Sequence, residues 1–413
     1  MGFINIVIYT SIYLGLIATT FYILSYVAAK KDKVLLFSDK ELPRVSVIIP
    51  AYNEEKTIET TFNSILASDY PKEKLEIIFV NDGSKDKTLQ VANKFKKNGI
   101  KIFSKKNGGK GSALNLGIKK STGEIIFSMD ADTIVDPKSL KNMTRYFKNE
   151  EIMCVSPAIV TQKPKSILQR VQYTEYLLGL FLRKTFATLN AVHITPGAFS
   201  AYRKSFFEKY GGYDEGNITE DLELSLRVQY YGYKIENSAE SLVYTVPPGK
   251  FSHLLKQRRR WYAGLMKNLW HYKKIISRKY GDLGMFVLPI AMVSIFFAVF
   301  VTIYFIFKTL FEIKDELILL SNINYDFNSL FEINSYVIER LFFLWITNPI
   351  IVFIAFFIII TGFYLSYASK KLGKTYGLMT NLFFFYLLFA VLFGFWWIVS
   401  VIYVLFNRKI SWK

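Results

Sequence analysis

The chain has 413 residues, of which 51% are hydrophobic, and carries a net charge of +19. That length suggests two or three domains. Its single cysteine, Cys154, excludes an internal disulfide framework and fits a reducing compartment. Despite the charge, no zinc-ligand spacing, helix-turn-helix pattern or basic-aromatic repeat supports a nucleic-acid partner.

Taken in order, residues 3–29 are apolar and about long enough to span a bilayer. Lys30, Lys31 and Lys33 follow, which places that end in the cytoplasm. An uncleaved anchor is expected over residues 1–33, because a signal peptide carries its charge before the apolar run. Residues 43–250 read as a soluble domain. Strands are predicted over 44–50, 75–80, 100–104 and 124–129, and helices over 54–68, 84–97 and 110–120. Alternating strands and helices with buried apolar strands mean a mostly parallel, Rossmann-like α/β sheet. Ligands bind such sheets beyond the carboxyl ends of the strands. Tyr52, Asn53 and Glu54 fall there after the first strand, Asp82 after the second, and Asp130 and Asp132 after the fourth.

Residues 166–192 predict a long interfacial helix rather than a span, since Gln169, Arg170, Gln172, Glu175, Arg183 and Lys184 interrupt it. Residues 193–203 read as a glycine-containing strand or loop. Thr219 is a plausible N-cap for a helix to about Tyr231, with Glu220 and Asp221 in its first turn. An interfacial helix is expected over 251–280, where Gln257, Arg258, Arg259, Arg260 and Trp261 combine an anion site with a flat apolar face. Basicity there also suits the anionic headgroups of membrane lipids.

The remainder, 285–413, is membrane-like, with about three to four crossings. Residues 285–307 and 341–367 have spanning length, the acidic stretch 308–340 suits the outside, and Lys370, Lys371 and Lys374 suit the inside. Residues 376–406 are too many for one ordinary span. A single crossing would leave Arg408, Lys409 and Lys413 outside, against the positive-inside tendency, whereas a broken or re-entrant pair would return them.

Asp130 and Asp132, two residues apart after a buried strand, can share a divalent cation with a diphosphate. Hard oxygen ligands point to Mg2+ or Mn2+. Alone, such a pair is also an ordinary polar turn, and Asp82-Gly83 is a common turn too. Lys110, after two glycines, lacks the spacing of a P-loop. Asp221 can serve as a proton acceptor if its helix start faces the metal across the cleft.

Together, the ordered motifs YNE, NDGS, GGKG, DAD, TED and QRRRW in one membrane-tethered domain resemble the processive family 2 glycosyltransferases. These are the cellulose, chitin, hyaluronan and poly-N-acetylglucosamine synthases. The resemblance covers about residues 43–275, and TPGAFSAYR and TEDLELSLRVQYYGYKI look most like poly-N-acetylglucosamine synthases. It implies a GT-A-like domain beside α-helical membrane segments. It places Tyr52, Glu54, Asp82, Lys110 and Asp130 toward a UDP-sugar donor, and Asp132, with Asp130, on the metal. Asp221 becomes the catalytic base. Gln257 and Arg260 would face the diphosphate, and Trp261 would lie under the acceptor sugar with Glu220 nearby. Gly197 and Ser200 fall where cellulose synthases carry an FFCGS acceptor sequence. GAFSA lacks that cysteine, which puts those acceptor contacts in doubt. Arg258 and Arg259 receive no role.

The implied reaction is inverting polymerisation of a sugar, N-acetylglucosamine on similarity, onto a polysaccharide acceptor at the inner face of the plasma membrane, coupled to export. Few crossings make a small membrane partner or a homo-oligomer a natural complement. Two alternatives stand beside it: a non-processive transferase adding one sugar to a membrane lipid, and a non-catalytic transporter or receptor with a nucleotide-binding domain.

Overall fold

Val45–Ala51 (β1) is buried along its whole length, as a central strand covered on both faces must be. It lies within an eight-stranded sheet of order β3-β2-β1-β4-β7-β6-β8-β5. The other strands are Leu75–Asn81 (β2), Lys101–Ser104 (β3), Ile125–Met129 (β4), Ile134–Val135 (β5), Ile152–Thr161 (β6), Phe199–Arg203 (β7) and Lys234–Thr245 (β8). This computed structural model describes residues 3–29, 36–322, 349–373 and 375–408, together with 335, 338–340, 342 and 343.

β1 pairs in parallel with β2 and β4, and β2 with β3; β7 then runs antiparallel between β4 and β6. The strand order reverses between β1 and β4, which opens a crevice at their carboxyl ends. One face of the sheet buries Phe62, Phe79, Phe127 and Phe147 beneath Ile58–Leu66 (α2) and Ser139–Arg145 (α5). The other buries Ile48, Leu114, Leu224 and Val228 beneath Lys110–Lys120 (α4) and Glu220–Tyr230 (α8).

The sequence periodicity overestimates two helices. The helix predicted over 54–68 starts only at Ile58, because Asn53 takes a left-handed backbone (φ 58°) and Glu54–Thr57 forms a turn. The helix predicted over 84–97 shrinks to Thr88–Asn93 (α3), whose entry is fixed by Asp86 accepting from the Thr88 amide. Residues 193–203 divide into a loop and β7. Lys204–Tyr210 (α7) follows, a helix that sequence reading missed.

Ile167–Thr188 (α6) buries Val171, Tyr173, Leu177, Leu180 and Phe181 between the sheet domain and the apolar C-terminal helices. Phe251–His271 (α9) carries the arginine run. Among the described residues, four helices are long and apolar enough to cross a membrane. The first is Phe3–Ala28 (α1). Leu288–Asn322 (α10) follows, entered through a π-helical turn at Leu283–Val287. Pro349–Leu372 (α11) and Leu378–Leu405 (α12) complete the set. The segment expected over 376–406 is thus one unbroken helix, and the broken-pair alternative falls. Lys30, Lys31, Lys33, Lys374, Lys409 and Lys413, and most of 323–348, lie outside the described residues.

α12 packs on α6 near its start and on α9 toward its end. Near its start, Arg170 of α6 donates to Asn381 and the Tyr376 amide donates to the Tyr173 hydroxyl. Toward its end, Tyr262 of α9 stacks on Trp397 at 4.3 Å, and Arg259 lies 4.2 Å from the Tyr403 ring centre.

Candidate active site

The crevice is floored by the turn after β4. The Asp130 amide donates to the Ala198 carbonyl, which ties this turn to the loop before β7. Lys110, the first residue of α4, reaches across with Nζ 2.5 Å from Asp130 Oδ1 and 3.3 Å from Glu220 Oε1. Burial by itself would lower this ammonium, but Asp130, Glu220 and Asp221 outweigh it and hold the lysine charged. A single cation therefore joins the turn after β4 to the start of α8, elements far apart in the chain.

Asp221 holds its place through its own carboxylate. Oδ1 accepts from the Leu222 amide at 2.9 Å and Oδ2 from the Gly197 amide at 2.8 Å. Gly197 lets both groups approach its backbone, since a Cβ would stand 2.7 Å from Asp221 Oδ2 and 2.8 Å from Lys110 Nζ and would push those side-chain ends aside. Glu220 beside it is 2% exposed, and its Oε2 accepts no hydrogen bond. Burial raises its carboxyl, with Asp221 adding to the push and Lys110 and Arg260 opposing it.

The expectation for Thr219 needs correction. It precedes α8, but its side chain caps nothing in that helix. Its hydroxyl instead accepts from Asn268 Nδ2 at 3.0 Å and donates to Asn217 Oδ1 at 3.4 Å, so it joins α8 to α9. Gly264 of α9 makes that junction possible, because a methyl there would overlap the Thr219 side chain. Arg260 completes the joint by donating to the Ile218 carbonyl at 3.3 Å. Gly264 was legible as a glycine inside a helical pattern; the Asn268 contact was not.

Asp82 is 2% exposed and held entirely by the neighbouring loop. It accepts from Lys105 Nζ at 2.9 Å, the Gly108 amide at 3.0 Å and the Gly109 amide at 2.8 Å. Its carboxylate shapes the glycine loop that enters α4, a contribution of Lys105 that sequence reading missed. Tyr52 and Glu54 are half-buried at the end of β1, where Glu54 also accepts from the Thr57 hydroxyl. Ser200, expected at the acceptor subsite, is fully buried in β7 and donates to the Pro196 carbonyl. Its hydroxyl props the Gly197 loop from beneath rather than facing the crevice.

On α9, Gln257, Arg260 and Trp261 are half-buried, while Arg258 is buried. Arg260 donates to the Ile218 carbonyl just before α8, whose first residue, Glu220, pairs with Lys110, so the arginine helix adjoins the Lys110 bridge.

Asp132 lies exposed at the rim of this cleft. Its carboxyl is pushed up to about 6, first by the protein crowded around it and then by Asp130 and Glu54. Such crowding of carboxylates suits a divalent cation, which would relieve it. Among the described residues, however, no three acidic, histidine or cysteine side chains close around one point. Asp130 and Asp132 supply hard oxygen donors that would need oxygens from a ligand to complete a cation's coordination.

Residues 46–211 match the family described as glycosyl transferase family 2. The chain is similar to a poly-beta-1,6-N-acetyl-D-glucosamine synthase of Staphylococcus epidermidis, with 32% identity over 240 residues, 56% of this chain and 58% of the relative. It is 35% identical over 233 residues, 54% of this chain and 55% of the relative, to the synthase so named in Staphylococcus aureus strain COL. The chain thus spans little more than half the length of these curated relatives. Its fold is similar to that of a mannosyltransferase from Pyrobaculum calidifontis solved with GDP-Man and Mn2+. The TM-score is 0.61 at 17% identity, covering 98% of this chain and 99% of that one.

Proposed function

We propose that this chain, whose residues 46–211 belong to glycosyl transferase family 2, is a membrane-bound inverting enzyme that polymerises N-acetylglucosamine from UDP-N-acetylglucosamine. The observation that carries this reading is the Lys110 bridge between Asp130 and Glu220, beside a fixed Asp221. It brings the diphosphate end and the proton-accepting end of a transfer reaction into one cleft. The curated relatives, named as poly-beta-1,6-N-acetyl-D-glucosamine synthases, support the choice of donor and product.

In this reading the acceptor hydroxyl attacks the anomeric carbon in line with the departing diphosphate, and its proton passes to Asp221. Lys110 and Arg260 stabilise the negative charge that gathers on the diphosphate. Asp130 and Asp132 would hold Mg2+ or Mn2+, which would neutralise part of that charge when bound. Tyr52 and Glu54 line the nucleoside end, and Asp82 sets the loop that contacts it. Gln257 lies beside the diphosphate. Trp261 offers the acceptor sugar a flat apolar face, with Gly197 and Glu220 nearby.

We place the catalytic domain in the cytoplasm at the plasma membrane, with anionic lipids at its basic edge. The ends of α1 and α11 support this, because Tyr26 packs on Phe181 and Lys371 pairs with Glu240 of the domain. α12 is about 42 Å long at 1.5 Å per residue. Its contacts with α6 and α9 near both ends support a course along the domain's membrane face, which keeps Arg408 on the catalytic side. Export of the polymer then requires a passage built with a second copy or a small membrane partner, since few helices among the described residues remain to enclose one.

Incubation of the full chain in nanodiscs with UDP- and GDP-sugars, with Mg2+ or Mn2+, tests the proposal. UDP release and a ladder of β-linked N-acetylglucosamine oligomers are expected. A single glycolipid product would support the non-processive alternative instead. No metal-dependent nucleotide release from any donor would revive the non-catalytic one.

A further inference from the structure

Arg258 lies at a variable position of the QxxRW stretch, and its surroundings are unlike those of Arg260. It is 2% exposed. Its NH1 and NH2 donate to Glu175 Oε1 and Oε2 of α6 at 2.6 and 2.7 Å, a two-pronged pair. The guanidinium carbon lies 4.8 Å from the Trp261 ring centre and 5.1 Å from that of Trp396 in α12. Trp396 is fully buried. Three helices from distant parts of the chain, α6, α9 and α12, thus meet on one planar cation.

This arrangement excludes a direct substrate role for Arg258. Both terminal nitrogens donate to Glu175, and the group is sealed from the cleft. A buried ion pair is seldom the most stabilising way to fill such a space, since apolar side chains of similar volume often do as well. What a planar fork supplies is orientation, which neither lysine nor an aliphatic pair reproduces. The ring it orients is Trp261, one turn along α9 and on the same side.

We propose that Arg258, latched by Glu175, is a positioning residue that fixes Trp261 as the platform for the acceptor sugar. Through Trp396 it also ties that platform to the apolar C-terminal helices. The inference rests on the acceptor role given to Trp261 above.

The test compares Arg258→Lys, Glu175→Gln and the apolar double variant Arg258→Met/Glu175→Leu with wild type, all as full chains in nanodiscs. UDP affinity is measured by calorimetry, and donor hydrolysis and transfer to an N-acetylglucosamine oligosaccharide are measured separately. Binding of that oligosaccharide is read from tryptophan fluorescence, with Trp261→Phe identifying the Trp261 share of the signal. The double variant removes both charges, so it separates orientation from the cost of stranding one ion. Expected are UDP affinity and donor hydrolysis close to wild type in the double variant. Its acceptor KM should rise about 10–100-fold, the scale of effect that a small misplacement produces. Arg258→Lys should not rescue transfer.

Wild-type transfer by the double variant would overturn the proposal, as would equal loss of hydrolysis and transfer. If wild type transfers no sugar at all, the enzymatic reading fails, but the fluorescence arm still decides the positioning role. Weaker oligosaccharide binding in the double variant than in wild type supports the role. Equal binding, or none in wild type, overturns it.

Discussion

Asp221 accepts one hydrogen bond at each carboxylate oxygen, from Leu222 and Gly197, and still borders the open crevice. Replacing it with Asn keeps its size, removes its capacity to take a proton and gives up one of the two amide hydrogen bonds. Transfer should fall by about 10²–10⁴-fold, the usual contribution of a positioned base. UDP affinity by calorimetry should stay near wild type, and undiminished turnover in a folded, nucleotide-bound Asp221→Asn would refute the assignment. Asp132 makes a different prediction. Its carboxyl is pushed up to about 6, so it holds its proton at a higher pH than a free aspartate does. Only the ionised form ligates a cation. Mn2+ affinity should therefore weaken as pH falls through about 6, two units above the unperturbed range of about 4. Asp132→Asn should bind Mn2+ weakly throughout, with no such inflection between about pH 5 and pH 8. A wild-type titration that is flat over that window would count against Asp132 as a ligand.

At the scale of elements, the geometry of the candidate site depends on how α9 abuts the start of α8. Gly264 allows this approach, with Thr219, Asn217 and Asn268 bonded across the contact. Gly264→Ala therefore sets two effects against each other. In an open helix the change would stabilise by about 1 kcal/mol. Here the methyl overlaps Thr219, and overpacking of this kind costs about 1–3 kcal/mol. A lower melting temperature is expected, together with loss of transfer as the Ile218 carbonyl moves from Arg260. A higher melting temperature would show that the contact is looser than described. α4 matches its predicted bounds, because the Gly108-Gly109 loop marks its entry. α2 and α3 start late because a left-handed Asn53 and the Asp86 turn, both local backbone matters, override their periodicity.

For the whole molecule, the central question is the course of α12. Composition makes it a candidate span, while its packing gives it two points of contact, with α6 and with α9. In right-side-out and inverted vesicles, Arg408→Cys should react with a membrane-impermeant maleimide only from the side that carries the sheet domain. Cys154 is buried, and burial raises its thiol, so it contributes little background. Labelling of Arg408→Cys from the opposite side would establish a full crossing. Charge counting left this open, because Lys409 and Lys413 report a side of the membrane only once the helix path is known.

Sequence alone determined the sheet class, the chain positions of the acids, and the separation of a soluble domain from apolar helices. Those follow from hydrophobic period and from turn residues, which act over a few neighbours. Tertiary structure decided which of those residues share a cleft. Lys110 meets Glu220, Asp82 serves the glycine loop, Ser200 turns into the core, and Arg258 is latched to Glu175. Each of those outcomes depends on contacts between segments distant in the chain, and on donors and acceptors that must find partners once buried. No local pattern encodes which partner that will be.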